Sequence, residues 1–255
     1  MTSARESVDV LIIGAGASGG AFAWSLSNAG MQVMCLDQGG WQDPTHYPTV
    51  KDDWELHRFT DFNPDPNLRG LPEDYPVNDT DSPITPLMYN AVGGSTIHWA
   101  GHFPRLHPSD FRLRTLDGVA DDWPITYDEL EPFYDLNDVI TGVSGVTGDP
   151  AYPPKSSRQT PPVPLGKLGQ QMVVGFDKLG WQWWPSDSAI VTRPYDGRSA
   201  CNNCGPCDIG CYQRAKASTD ITHWPKAIER GSILKTYARV REITIGKDGL
   251  VNGVI

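Results

Sequence analysis

The chain has 255 residues, 39% of them hydrophobic and 20% charged, with a formal net charge of −10 at pH 7. That mix suits a globular protein with one large core or two modest ones. The acidic balance argues against nucleic acid or an anionic membrane surface as a partner, and no apolar run reaches the roughly 18 residues that a spanning helix needs.

The residues before Val8 lead straight into the apolar run Val8–Ile13, with no small-residue cleavage site between. The run reads as a strand rather than a signal peptide. A cytoplasmic location is therefore expected, with co-export on a signal-bearing partner left open. Gly14-Ala15-Gly16-Ala17-Ser18-Gly19 follows, a full G-x-G-x-x-G. Ala21, Phe22, Trp24 and Leu26 fit a helix, which Asn28-Ala29-Gly30 closes. Met31–Leu36 reads as a second strand with Asp37 at its end.

Each part of this βαβ unit has a physical task. Gly14 permits a tight turn, Gly16 lets a pyrophosphate approach the backbone, and Gly19 lets helix and strand pack closely. The helix start, with Ala17 and Ser18, offers free N–H groups and a partial positive charge to an anion. The Asp37 carboxylate is placed to accept both ribose hydroxyls. The order of strand, glycines, helix, strand and acid predicts a dinucleotide site. The motif alone does not separate FAD from NAD; its place at the start of the chain favours FAD.

Two Pro-rich stretches, Asp43 to Pro86 and Pro150 to Pro164, predict long ordered loops over a scaffold. Between them, Asn90-Ala91-Val92-Gly93-Gly94-Ser95-Thr96-Ile97-His98-Trp99 forms a second glycine motif. Thr126 and Glu129 make a capping box that starts a helix running through Glu131-Pro132-Phe133-Tyr134. Trp181, Trp183 and Trp184 are assigned to core packing, with a sugar-lining role as the lesser alternative.

Five cysteines are present. Cys35, in the second strand, reads as a small buried hydrophobe. Cys201, Cys204, Cys207 and Cys211 have the C-x2-C-x2-C-x3-C spacing of bacterial ferredoxins, although Tyr212 stands where a Pro is usual. An iron–sulfur cluster, a structural zinc and disulfides or free thiols are the three readings of that run. Beyond it, Ser218 or Thr219 is expected to cap a helix ending before Gly231. Residues 237–243 alternate like a strand, and Gly246-Lys247-Asp248-Gly249 reads as a hairpin turn.

The two glycine motifs together resemble those of the glucose–methanol–choline (GMC) family of FAD-dependent oxidoreductases, in its N-terminal portion. The resemblance implies an α/β, Rossmann-like FAD/NAD(P)-binding fold with long loop excursions, incomplete at the C-terminus. It divides the chain into an FAD-binding βαβ unit at residues 1–40, a loop-rich flavin-contact and cap region at 41–195, and the cysteine loop with a return to the FAD domain at 196–255. It implies that Gly93 and Gly94 let the backbone pass the flavin ring, that Ser95 and Thr96 hydrogen-bond flavin heteroatoms, and that Val240 meets the adenine through its backbone. The Gly-Gly-x-x-x-His-Trp form is similar to pyranose oxidases and to catalytic subunits of bacterial sugar dehydrogenases. In pyranose oxidases the residue matching His98 is joined to the flavin; a packed histidine is the plainer alternative.

Cys201, Cys207 and Cys211 match the pattern that holds a three-iron cluster in related dehydrogenases, and Cys204 leaves 3Fe-4S and 4Fe-4S both open. The resemblance implies oxidation of a CH–OH group of a sugar, polyol or sugar acid, with electrons leaving through the cluster to a partner such as a cytochrome subunit. No catalytic residue is assigned: the base is expected in a C-terminal part beyond Ile255. His46, His57, His102, His107 and His223 are read as loop or surface histidines. Two rivals remain, an oxygen-using pyranose-type oxidase and a non-catalytic truncated flavin fold with a zinc scaffold.

Overall fold

The structure is a computed structural model that describes residues 7–75, 77–155 and 158–255. The leader reading of the first six residues lies outside them, as do Pro76, Ser156 and Ser157 of the Pro-rich stretches. Along the chain the elements are β1 Val10–Ile13, α1 Ala17–Asn28, β2 Val33–Leu36, α2 Trp54–His57, α3 Pro66–Arg69, α4 Leu113–Asp117, α5 Tyr127–Thr141, α6 Lys167–Leu179, α7 Thr219–Thr222, α8 Trp224–Glu229, β3 Ile233–Lys235, β4 Ile243–Ile245 and β5 Val251–Val254, with short 3-10 turns between.

The chain forms two compact units. One holds the residues up to Ala100, Cys204–Tyr212 and Ser218–Ile255; the other holds Gly101–Asn203 and Gln213–Ala217. The sequence division after residues 40 and 195 does not coincide with these boundaries. Residues 41–100 belong with the βαβ unit because the chain after β2 bridges back to it, with Gly40 paired to Ala91.

In the first unit β1, β2 and β3 make a parallel sheet with β2 in the middle, in the register Val10↔Val33 and Met34↔Ile233. Both early strands are shorter than their apolar runs. Parallel pairing requires a crossover, and α1 provides it. Helix α1 packs against α8 and β2. Small residues make the approach close: a Cβ on Gly20 would stand 2.9 Å from the Thr219 Cβ. Ala15, Ala23, Val33, Cys35, Val92, Trp224 and Ala227 form the buried core there. Burial pushes the Cys35 thiol up to about 12, so it stays protonated and acts as a hydrophobe.

The helix expected after Ser218 breaks into α7 and α8 where Pro225 intervenes, and Ser218 is the N-cap residue of α7. His223, at the junction, is buried rather than a surface histidine. Its ring stands edge-on to Trp24, and its Nδ1 is 2.9 Å from Thr222 Oγ1. Burial, helped by the Lys226 charge, lowers its pKa from 6.5 to about 4. The unfolded chain takes up this proton as pH falls through 6.5, and the folded chain only near 4. Stability from this group is therefore flat above pH 7, falls by about 3 kcal/mol between 6.5 and 4, and levels off below. Denaturant midpoints measured across that window should fall more steeply for the native protein than for His223→Gln; parallel slopes would exclude His223 as the source.

The segment 237–242 is not the strand its alternation suggests. Tyr237 has a left-handed φ of 53°. The Tyr237 N–H donates to Gly39 O at 3.2 Å and the Ala238 N–H to Asp37 O at 2.8 Å, which ties this stretch to the chain after β2. The strand begins at Ile243, and β4 and β5 form the hairpin around Gly249, whose φ is +80°.

The second unit is mostly irregular. Thr126 Oγ1 accepts from the Glu129 N–H at 3.3 Å and the Glu129 carboxylate from the Thr126 N–H at 2.8 Å, the expected capping box of α5. Asp138 on α5 anchors a buried ion network: its Oδ2 accepts from Arg105 and Arg158 at 2.6 Å each. Arg158 and Lys155 meet Asp187 at 2.5 and 3.0 Å. The tryptophans assigned to a core are not in one. Trp181 and Trp184 are exposed, and the indole N–H groups of Trp183 and Trp184 donate to Asp177 and to Val146 O at 3.0 Å. Trp183 is half-buried, and the Trp181 ring stacks on Phe176 with centroids 6.1 Å apart.

Candidate functional site

Helix α1 begins at Ala17, with no side-chain cap at Gly16 and no acidic residue in its first turn. Its leading N–H groups, from Ala17 onward, thus remain available to an anion. Gly14 takes the turn with φ +94°, and a Cβ on Gly19 would collide with the Gly14 carbonyl. Asp37 is buried at the end of β2. Its Oδ2 accepts from the Ala15 N–H at 2.6 Å and its Oδ1 from the Gly39 N–H at 2.8 Å. The carboxylate therefore first clamps the glycine turn to the chain after β2. Each oxygen keeps a second lone pair, so the ribose reading is narrowed to those remaining acceptor positions.

The second glycine motif comes to the same place. The Gly93 N–H donates to Ala15 O at 3.0 Å. Gly93 and Gly94 have φ of +99° and +52°, and a Cβ on Gly94 would stand 3.0 Å from the Gly16 Cα. Gly14, Gly16, Asp37, Gly94, Ser95 and Val240 all line one cleft of about 460 Å³. The 3-10 turn Gly94–His98 sets the following side chains. Ser95 is exposed to the cleft. Thr96 faces the other way: its hydroxyl donates to Gly93 O at 2.5 Å and accepts from the Thr219 N–H at 3.1 Å. A hydroxyl so engaged holds the loop, and the expected flavin contact is narrowed to its one remaining lone pair. His98 packs against Tyr89, with ring centroids 4.3 Å apart, and Phe62, at 6.4 Å.

Several contributors carry no sequence signal of their own. The Trp224 indole N–H donates to Ala15 O at 2.9 Å from a fully buried ring. A Cβ on Gly39 would collide with the Asn90 backbone, so the chain after β2 and the chain entering the second glycine motif touch main chain to main chain. Gln38 donates to Asn90 across the same gap. The exception is Gly39, part of a Gly pair, which hinted at a close approach. Trp224→Phe keeps the ring's bulk and loses the N–H. Ala15 O keeps the Gly93 N–H, so the expected cost in urea unfolding is that of one lost hydrogen bond, about 0.5–1.5 kcal/mol. No change would show that the indole bond adds nothing beyond the Gly93 bond.

The cysteine run is anchored beside this site. The 3-10 turn Cys207–Ile209 packs on the turn Gly94–His98. Asp208 pairs with Arg58, and Gly210, at φ +89°, lies so close to Tyr47 that a Cβ would stand 2.5 Å from the ring. Cys204 is exposed, and Cys207 and Cys211 are partly buried. Cys201 belongs to the other unit. Among the described residues no three His, Cys, Asp or Glu side chains converge as a metal site.

The glycine turn, the free helix start, the acid and the second glycine pair around one cleft define a dinucleotide-binding Rossmann domain. A family profile for an NAD(P)-binding Rossmann-like domain matches residues 12–74. The chain is 45% identical to 2-methyl-1,2-propanediol dehydrogenase of Mycolicibacterium austroafricanum, across 99% of this chain and 46% of that protein. It is 34% identical to the fructose dehydrogenase large subunit of Gluconobacter japonicus, across 82% of this chain and 42% of that one. Pyridoxine 4-oxidase from Mesorbium loti superposes with a TM-score of 0.51 at 18% identity, covering 97% of this chain and 48% of that one, which speaks for the fold. The chain is also similar to a GMC-type oxidoreductase of Mycobacterium tuberculosis, 26% identical across 92% of this chain and 32% of that protein. It spans about half the length of the two dehydrogenases.

Proposed function

We propose that this chain is the FAD-holding half of an oxidoreductase that acts on the CH–OH group of a small diol, polyol, sugar or sugar acid. The observation that carries the proposal is the single cleft shared by both glycine motifs, Asp37 and Val240. The donor set suits FAD. Free N–H groups at the start of α1 would meet a diphosphate, Asp37 keeps acceptor capacity for a ribose, and the Cβ-free Gly94 brings the second glycine motif onto the Gly16 backbone. FAD, when bound, supplies a two-electron acceptor for oxidation of the alcohol to a carbonyl. The chain's own part is to bind and orient. Thr96 and Thr219 fix the loop, and Ser95 offers a hydroxyl toward the ring. A proton acceptor for the alcohol is proposed to come from the remainder of the full-length protein.

The relatives' substrates range from a branched 1,2-diol to fructose, so the proposed substrate class includes short diols beside sugars. The spacing of the four cysteines alone supports a further proposal, that the complete protein passes electrons to an outside acceptor, such as a cytochrome, through an iron–sulfur cluster. One preparation tests both. The full-length protein, purified without oxygen, should show flavin absorption that bleaches on addition of a diol or polyol. Iron and acid-labile sulfide should accompany the flavin. A colourless folded protein would overturn the first proposal; flavin without iron would overturn the second.

A further inference from the structure

Two side chains meet at the acid end of the cleft. The Arg239 guanidinium carbon lies 4.4 Å from the centroid of the Tyr75 ring, and both residues line the cleft beside Asp37 and Gln38. They reach it from opposite ends of the sequence. Tyr75 is held from behind by its neighbour Asp74, which pairs with Arg69 at 2.5 Å, the two side chains 5% and 0% exposed. Asp74 also accepts from Asn90 Nδ2 at 2.8 Å, and Asn90 accepts in turn from Gln38. Arg239 is set by the Ala238 N–H, which donates to the Asp37 carbonyl at 2.8 Å. A buried ion pair and a main-chain bond thus bring an aromatic face and a planar cation to one edge of a cavity.

We infer that Tyr75 and Arg239 form a grip for the adenosine diphosphate half of the ligand and set its selectivity for a dinucleotide over a mononucleotide. The inference rests on the FAD reading above. The Tyr75 face matches a planar heteroaromatic ring, and the guanidinium both stacks on such rings and pairs with phosphate oxygens. Lys at position 239 would keep the charge and lose the stacking plane.

The test uses the full-length protein stripped of flavin, titrated with FAD by flavin fluorescence and with ADP by calorimetry. Tyr75→Ala and Arg239→Ala should each weaken both ligands at least tenfold, and by similar factors. Tyr75→Phe should bind as the native protein does, and Arg239→Lys should fall between. Unchanged FAD affinity in both alanine variants would overturn the inference. So would weakened FAD binding with ADP binding untouched, since the effect would then lie at the flavin end. If the native protein binds neither ligand, the FAD reading itself has failed and the inference falls with it.

Discussion

Replacing Asp37 with alanine is expected to unfold the dinucleotide unit more readily than any other change in the cleft. Two buried N–H groups, of Ala15 and Gly39, lose their acceptor at once. Each stranded donor costs about 1–3 kcal/mol, so the two together cost about 2–6 kcal/mol. The same change releases the glycine turn from the chain after β2, and flavin content should fall with it. Asp37→Asn is not a mild control. Its amide presents a donor to one of the two N–H groups, so it should recover only part of the loss. Urea unfolding of the flavin-stripped full-length protein separates the stability effect from ligand loss. A change under about 1 kcal/mol in that experiment would mean that the turn does not depend on the carboxylate.

The second large effect lies in the other unit. Asp138→Ala removes the acceptor that Arg105 and Arg158 share, deep among groups that are 2%, 3% and 5% exposed at the side chain. Removing one partner of a buried ionic group typically costs about 3–5 kcal/mol, because the charges left behind have surrendered their water. Arg105 retains Asp135 and Arg158 retains Asp187. The expected loss therefore sits at the lower end of that range. It should be nearly insensitive to salt, unlike a surface pair. Loss that disappears in high salt would place the network at the surface instead.

Much of the first unit was legible because its signals are local. A glycine turn, a helix start and a second strand are set by neighbours in sequence, and so is the Thr126–Glu129 capping box. The failures share a cause, which is contact with distant chain. Residues 237–242 alternate as a strand would, yet bonds to Gly39 and Asp37 pull them out of one. His223 sits in a polar-looking stretch and is buried through its contact with Trp24. Trp181 and Trp184 fail in the opposite sense: apolar character alone does not say whether anything stands ready to cover it.

The parallel sheet has a consequence for how the protein is made. Its middle strand is made before the second unit, yet the partner that pairs Met34 with Ile233 emerges only after that whole unit has left the ribosome. One edge of β2 must therefore wait, unpaired, while the second unit is made. Long-range parallel pairing of this kind is slow to form and exposes strand edges meanwhile. The nascent βαβ unit is thus a natural client for a chaperone, and the second unit, continuous but for a few residues, is the part able to fold first.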